Sequence, residues 1–160
     1  MSSPDQPMRR GDPPVDPRGV RFNASVTTVV LALVLLSGNP WLLAAQAVVF
    51  ALGAFAGLRF APYSVLYRAV LARRLGEPAE REEAAPVRFS QGVGFTFAVV
   101  GAVGYFSGLT ALGIVATAFA LAAAFLNAAF GFCLGCEMYA LIARLRNRSS
   151  KNNNQQGATA

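Results

Sequence analysis

The chain has 160 residues, of which 54% are hydrophobic and 14% charged, with a formal net charge of +6 and no histidine. Soluble domains carry about a quarter charged residues, so this composition argues against an ordinary water-soluble domain. The positive charge does not point to nucleic acid: no basic stripe is interleaved with aromatics, and the arginines stand beside the ends of apolar runs, as in membrane proteins.

Residues 1–17 are polar and Pro-rich and are expected to be disordered. They lack the apolar core and cleavage site of a signal peptide. Asp16-Pro17-Arg18-Gly19 reads as a turn. Four blocks without Lys, Arg, Asp or Glu follow, at residues 22–37, 41–58, 89–106 and 109–132. About 20 apolar residues cross the hydrocarbon of a bilayer. Open strands would leave backbone groups unpaired in lipid, so the blocks are read as helices. A soluble bundle of hydrophobic helices is the competing reading, but helices apolar on every face suit lipid better. The predicted fold is therefore an all-α membrane protein with four transmembrane helices.

The first block ends at Ser37-Gly38-Asn39-Pro40, a tight turn with a proline fit to open the next helix. Trp41 is expected at the membrane interface. Gln46 is a lone polar residue in the second span. From Pro62, residues 63–75 place Leu66, Val70 and Leu71 toward one side and Arg68, Arg73 and Arg74 elsewhere, which predicts an amphipathic surface helix. Residues 77–85 form a charged linker. In the third span Gly92, Gly94, Gly101 and Gly104 are expected to allow close helix contact. Ser107-Gly108 turns the chain back, and the fourth span runs to the only cysteines, Cys133 and Cys136, and on to residues 137–148. The tail, 149–160, is Asn/Gln-rich and expected to be disordered.

An internal repeat is visible. Gly19-Val20-Arg21-Phe22-Asn23 matches Pro86-Val87-Arg88-Phe89-Ser90, Ser37-Gly38 matches Ser107-Gly108, and Gly57 to Pro62 aligns with Gly131 to Cys136. The membrane domain, 18–148, thus divides into halves 18–76 and 86–148. Each is a helical hairpin followed by a short amphipathic surface helix, and the two share one orientation about an axis along the membrane normal. All fourteen Lys and Arg lie before the first span, between the second and third, or at and after the end of the fourth. The positive-inside rule puts both termini and the central loop in the cytoplasm of a multi-pass cell-membrane protein.

Cys133 and Cys136 then fall at the cytoplasmic end, where thiols are kept reduced, so a working dithiol is expected rather than a structural disulfide. Spaced at i and i+3 on a helix, both sulfurs can meet one partner. If the fourth span breaks at 131–135, the pair sits at a helix N-terminus, whose dipole favours thiolate; if the span runs straight through, the effect reverses. Glu137 opposes thiolate formation unless it is protonated and relays a proton. Two other readings remain open: the cysteines as small packing residues, or a metal site shared by two copies of the chain. One copy has no histidine and only two thiols, short of a tetrahedral set, so no metal or cofactor is assigned. The pair occurs in one half of the repeat only, in place of Arg59 and Pro62, which favours a specialised site. Asn127, six residues before Cys133, either bonds another helix or lines a polar cavity leading to the cysteines. Gln46 is weighed the same way, and Asn23 reads as interfacial.

Asp16-Pro17-Arg18, Arg21-Phe22-Asn23, Arg88-Phe89, and above all Phe125-Leu126-Asn127 with Phe130-Gly131-Phe132-Cys133-Leu134-Gly135-Cys136-Glu137 carry a resemblance. The chain resembles, over residues 15–146, a family of small bacterial membrane proteins, mainly actinobacterial, described only as a domain of unknown function. The resemblance brings no established activity. It implies, by association, sulfur or redox traffic with rhodanese-like sulfurtransferases and thioredoxin-like proteins. The expectation is a dithiol, Cys133 and Cys136, that exchanges electrons or sulfane sulfur with such a soluble partner, with Glu137 tuning it and Asn127 ordering the helix end. The alternatives are a small transporter or channel component with a path lined by Gln46, Asn127 and the cysteines, and an assembly scaffold with inert cysteines. Beyond lipid and such a partner, a homo-oligomer remains open; nucleic acid is not expected.

Overall fold

A computed structural model describes residues 13–76 and 81–157, with side chains to residue 148. The expected disorder of residues 1–12 and 158–160, and the linker residues 77–80, lie outside the described residues. Apart from one isolated antiparallel bridge between Val15 and Glu82, the regular structure described is helical.

The first helix, α1 (Pro17–Ser37), begins where the sequence read a turn. Asp16 is extended and its side chain accepts the Arg18 N–H at 2.9 Å, while Pro17 occupies the first turn and has no N–H to leave unpaired. The Asp-Pro pair is thus a helix start. Gly38, at φ 62°, ends α1, and Asn39 caps α2 (Pro40–Ala51) by accepting from Trp41 and Leu42. A π turn, Leu52–Ala56, continues α2 until Gly57 (φ 105°) stops it. A 3-10 turn, Leu58–Phe60, leads to α3 (Pro62–Tyr67), a second π turn (Arg68–Ala72) and α4 (Arg73–Leu75). Then come α5 (Ala84–Phe106), α6 (Thr110–Phe130) and α7 (Leu134–Gly157). No proline or glycine interrupts the sequence between Gly135 and Gly157, and the helical backbone continues through the first part of the segment read as a disordered tail.

Among the described residues three helices are long and apolar enough to cross a membrane: α1, α5 and α6, with 21, 23 and 21 residues. At 1.5 Å per residue each exceeds the roughly 30 Å of hydrocarbon. A shorter apolar helix spans Pro40–Ala56. Large apolar side chains point outward from these helices; Leu36 is 85% and Phe130 73% exposed. Such a surface suits lipid, not water.

Inside, α1 lies against α6, α2 against α5, and α5 against α6. Leu31, Val34, Leu43 and Ala98 are fully buried at the centre. Small residues let the backbones approach, as membrane helices require in the absence of a hydrophobic drive between them. A Cβ added at Gly104 would lie 2.6 Å from the Gly113 nitrogen, one at Gly101 2.9 Å from a Leu43 methyl, and one at Gly94 2.9 Å from the Phe50 ring. Gly92 departs from the expectation: a Cβ there would meet nothing within 4 Å.

The start of α1, the end of α2, the start of α5 and the end of α6 gather at one end of the bundle. Val15 and Glu82 exchange backbone hydrogen bonds of 2.9 Å. Arg88, in α5, donates through Nε and Nη2 to the Ala54 carbonyl at 3.1 and 2.8 Å. That carbonyl belongs to the last turn before Gly57, so Arg88 supplies a donor where the helix no longer can. Asp16 also accepts the Tyr67 hydroxyl at 2.9 Å, tying α3 to the start of α1. Burial, and then this bond, raise the Tyr67 pKa, so the phenol stays a donor across the physiological range.

Replacing Gly104 by Ala is expected to destabilise the protein by about 1–3 kcal/mol, the usual cost of overpacking. Gly92→Ala meets open space inside a helix and is expected to be neutral or to stabilise by up to about 1 kcal/mol. Thermal unfolding in detergent measures both; equal effects would contradict the glycine-mediated contact of α5 with α6.

Candidate thiol site

The site is built by a helix break. Gly131 adopts φ 68°, the left-handed geometry in which glycine carries no side-chain penalty, and ends α6. Its N–H donates to the Asn127 carbonyl at 3.0 Å, and the Phe132 N–H folds back to Leu126 at 3.3 Å. Leu134 opens α7, so Cys133 stands at the cap position. Its carbonyl accepts the Glu137 N–H at 3.0 Å and its Sγ accepts the Cys136 N–H at 3.4 Å. Of the two geometries left open by the sequence, the broken one is therefore adopted. Both cysteines lie in the first turn of a helix, where the backbone dipoles favour negative charge on sulfur.

The two sulfurs are joined in a disulfide, where the sequence reading expected reduced thiols. Their Cα atoms are 5.2 Å apart, inside the range that lets such a bond form. The pair's two members have different surroundings. Cys136 packs on an apolar cluster of Leu58, Ala84 and Val87. Cys133 lines a cavity of about 230 Å³ between α1, α5 and α6.

That cavity also receives Asn23, Thr27, Gln91 and Asn127. Asn23 and Thr27 are 6% and 3% exposed. No hydrogen bond is made by the side chains of these four among the described residues; Gln91 and Asn127 are half-buried, and the buried atoms left without a partner are Gln46 Nε2 and the Tyr105 hydroxyl instead. Among the described residues no Asp, Glu, Lys or Arg lines the cavity. Amide and hydroxyl groups along such a wall can donate to or accept from a polar guest. Val20 and Asn23 also face a second cavity, about 320 Å³, lined by Arg59, Arg68 and Arg81.

The predicted residues do not all meet here. Asn127 and Cys133 do. Gln46 does not: it is buried, its Oε1 accepts the Tyr63 hydroxyl at 2.8 Å, and its Nε2 is unpaired among the described residues. Glu137 is exposed and outside the cavity lining. Asn23, read as interfacial, is buried in the cavity wall. Thr27 and Gln91 were not singled out by the sequence reading. The legible signal was the repeated Arg-Phe: a polar residue follows each copy, Asn23 after Arg21-Phe22 and Ser90-Gln91 after Arg88-Phe89. Among the described residues no three His, Cys, Asp or Glu side chains come together as a metal site.

Gly135 sits so close to Ser90 that a methyl group there would overlap the serine backbone and Cβ. Gly135→Ala is expected to push the start of α7 off α5, cost about 1–3 kcal/mol, and slow closure of the cysteine pair. Thermal unfolding and the rate of disulfide formation after reduction check this; an unchanged closure rate would mean that α5 does not hold the pair in place.

A family profile matches residues 15–144, most of the chain. No curated protein and no solved structure matches it. The extent of that match makes the chain a member of the family described as Domain of unknown function (DUF4395).

Proposed function

We propose that the protein is a four-span cell-membrane protein, built as two like-oriented helical hairpins, that carries out thiol–disulfide or sulfane-sulfur exchange through Cys133 and Cys136 with a soluble thioredoxin-like or sulfurtransferase partner. The paired halves are supported by matching contacts. Phe22 meets Tyr67 at 5.7 Å between ring centroids, and Phe89 meets Tyr139 at 5.8 Å, each linking a hairpin start to the helical segment that follows its hairpin. The four glycines at matching breaks, Gly38, Gly108, Gly57 and Gly131, all have positive φ. The α1–α6 and α2–α5 contacts are the reciprocal pair that a two-fold relation of hairpins produces. The cytoplasmic orientation of the cysteines is supported by the arginines gathered at their end of the bundle and the uncharged turns at Asn39 and Gly108.

The observation that carries the chemistry is the break at Gly131. It puts Cys133 at a helix N-terminus, with a backbone N–H on its sulfur and a polar cavity before it. Cys133 is therefore the attacking thiol and Cys136, against Leu58 and Val87, the resolving one. In the reduced protein the Cys133 thiolate attacks the partner's disulfide; a Cys133–partner bond forms and the partner's other sulfur leaves as thiolate. The Cys136 thiolate then attacks the Cys133 sulfur, closing the pair and releasing the partner's second thiolate. Two electrons have moved to the partner, whose thiolates take up the two protons lost by the cysteines. With a persulfide, Cys133 takes the outer sulfur with its proton, and the partner's inner sulfur leaves as thiolate. Glu137, exposed beside the pair, serves as a proton relay on the solvent side. A small-solute path is the second reading, favoured by the unpaired amides of Asn23 and Asn127, although Gln46 does not line the cavity.

Cys136→Ser is expected to accumulate a mixed disulfide with an oxidised thioredoxin-like protein, and Cys133→Ser to form none. Gel analysis of alkylated samples reads this; equal trapping by both variants would overturn the assignment. A membrane-impermeant thiol reagent is expected to label the reduced pair in inverted vesicles and not in intact cells; the reverse pattern would overturn the orientation.

A further inference from the structure

The cavity in front of Cys133 points to a second redox partner, one that arrives through the lipid. We propose that it binds the headgroup of a lipid-soluble quinone and that the Cys133/Cys136 pair exchanges two electrons with it. This inference rests on the dithiol reading and names a substrate class for the same site.

Four features carry it. Cys133 itself lines the cavity. Its polar side chains are neutral: the Ser90 hydroxyl, which donates to the Val87 carbonyl, and the amides of Asn23, Gln91 and Asn127 and the Thr27 hydroxyl, which make no hydrogen bond among the described residues. Those groups offer N–H and O–H donors to carbonyl oxygens, while the absence of charged lining disfavours an ionic guest. Aromatic rings complete the wall, with Phe50 inside and Phe97 and Phe119 at the outer surface. Phe97 and Phe119 are 36% and 61% exposed, with ring centroids 6.1 Å apart, on α5 and α6. Both helices are long and apolar enough to span, so this rim faces acyl chains, and a hydrophobic molecule can enter sideways. A volume of about 230 Å³ holds a one- or two-ring headgroup and leaves its tail in lipid.

The electron balance is complete with these two reactants. Two thiols become one disulfide: both S–H bonds are lost and one S–S bond forms. The two electrons and two protons convert the quinone's carbonyl oxygens to hydroxyls. Run backward, a quinol reduces the disulfide. A soluble thiol partner on the cytoplasmic side and a quinone on the lipid side would then share one cysteine pair, coupling thiol oxidation state to the membrane's electron pool.

The test uses the full chain in nanodiscs and a benzoquinone or naphthoquinone bearing a decyl tail. Binding is read first. Trp41→Phe removes the single native tryptophan and Phe119→Trp places one at the rim. Its fluorescence is expected to be quenched saturably by the quinone, including when both cysteines are serine. Asn127→Leu is expected to raise the half-saturating concentration about tenfold, the loss of one buried hydrogen bond. Electron transfer is read on the unaltered protein. After reduction and removal of reductant under anaerobic conditions, quinone absorbance is expected to fall by one equivalent per disulfide formed. Quenching that rises linearly with quinone, without saturation, would overturn the site; so would a reduced protein that leaves the quinone oxidised. A protein that traps the thiol partner but leaves quinone oxidised loses this inference alone. One that does neither loses the thiol function as well.

Discussion

A helix that breaks within or beside a bilayer must find partners for the backbone groups it frees, because hydrocarbon offers none. This chain breaks its apolar helices twice at the same end, at Gly57 and Gly131, and the architecture follows from how those groups are met. At Gly57 the N–H reaches back five residues to Leu52, and Arg88 covers the Ala54 carbonyl from the neighbouring helix. At Gly131 the chain uses its own next residues: Gly131 and Phe132 return to Asn127 and Leu126, and Cys133 accepts the Cys136 N–H. A sulfur thus takes a backbone bond that elsewhere a serine or aspartate would take.

The two breaks lead into different helix starts. After the first, Pro62 opens the following helix and needs no cap for its missing N–H. After the second, α7 opens with Cys133 at its cap, where sulfur, helix dipole and a cavity coincide. Asn23, Thr27, Gln91 and Asn127 face that cavity with hydrogen-bonding capacity unused among the described residues.

Much of the frame was legible because lipid makes sequence signals strong. The uncharged blocks marked the apolar helices, and Gly38 and Gly108 marked the turns; for Asn127 the sequence left open a bond to another helix or a place in a cavity wall. Local backbone detail was less legible. Asp16-Pro17 reads equally as a turn or a helix start, and only the Arg18 N–H on the Asp16 side chain decides it. The π turns at Leu52–Ala56 and Arg68–Ala72 have no compositional mark. Gln46 and Asn127 look alike as lone amides in apolar runs, yet Tyr63 claims the first and the cavity the second. Gly92 and Gly104 look alike too, and differ only in what faces them. These distinctions live in tertiary contacts, which periodicity does not encode.

In the proposed thiol exchange the break at Gly131 makes Cys133 the reactive sulfur. Alkylation of the reduced protein across pH, with each cysteine followed by mass spectrometry in inverted vesicles, tests it directly. Cys133 is predicted to react first, and at a lower pH than Cys136. If Cys136 reacts first, or if the two react alike at every pH, the helix break does not activate the site.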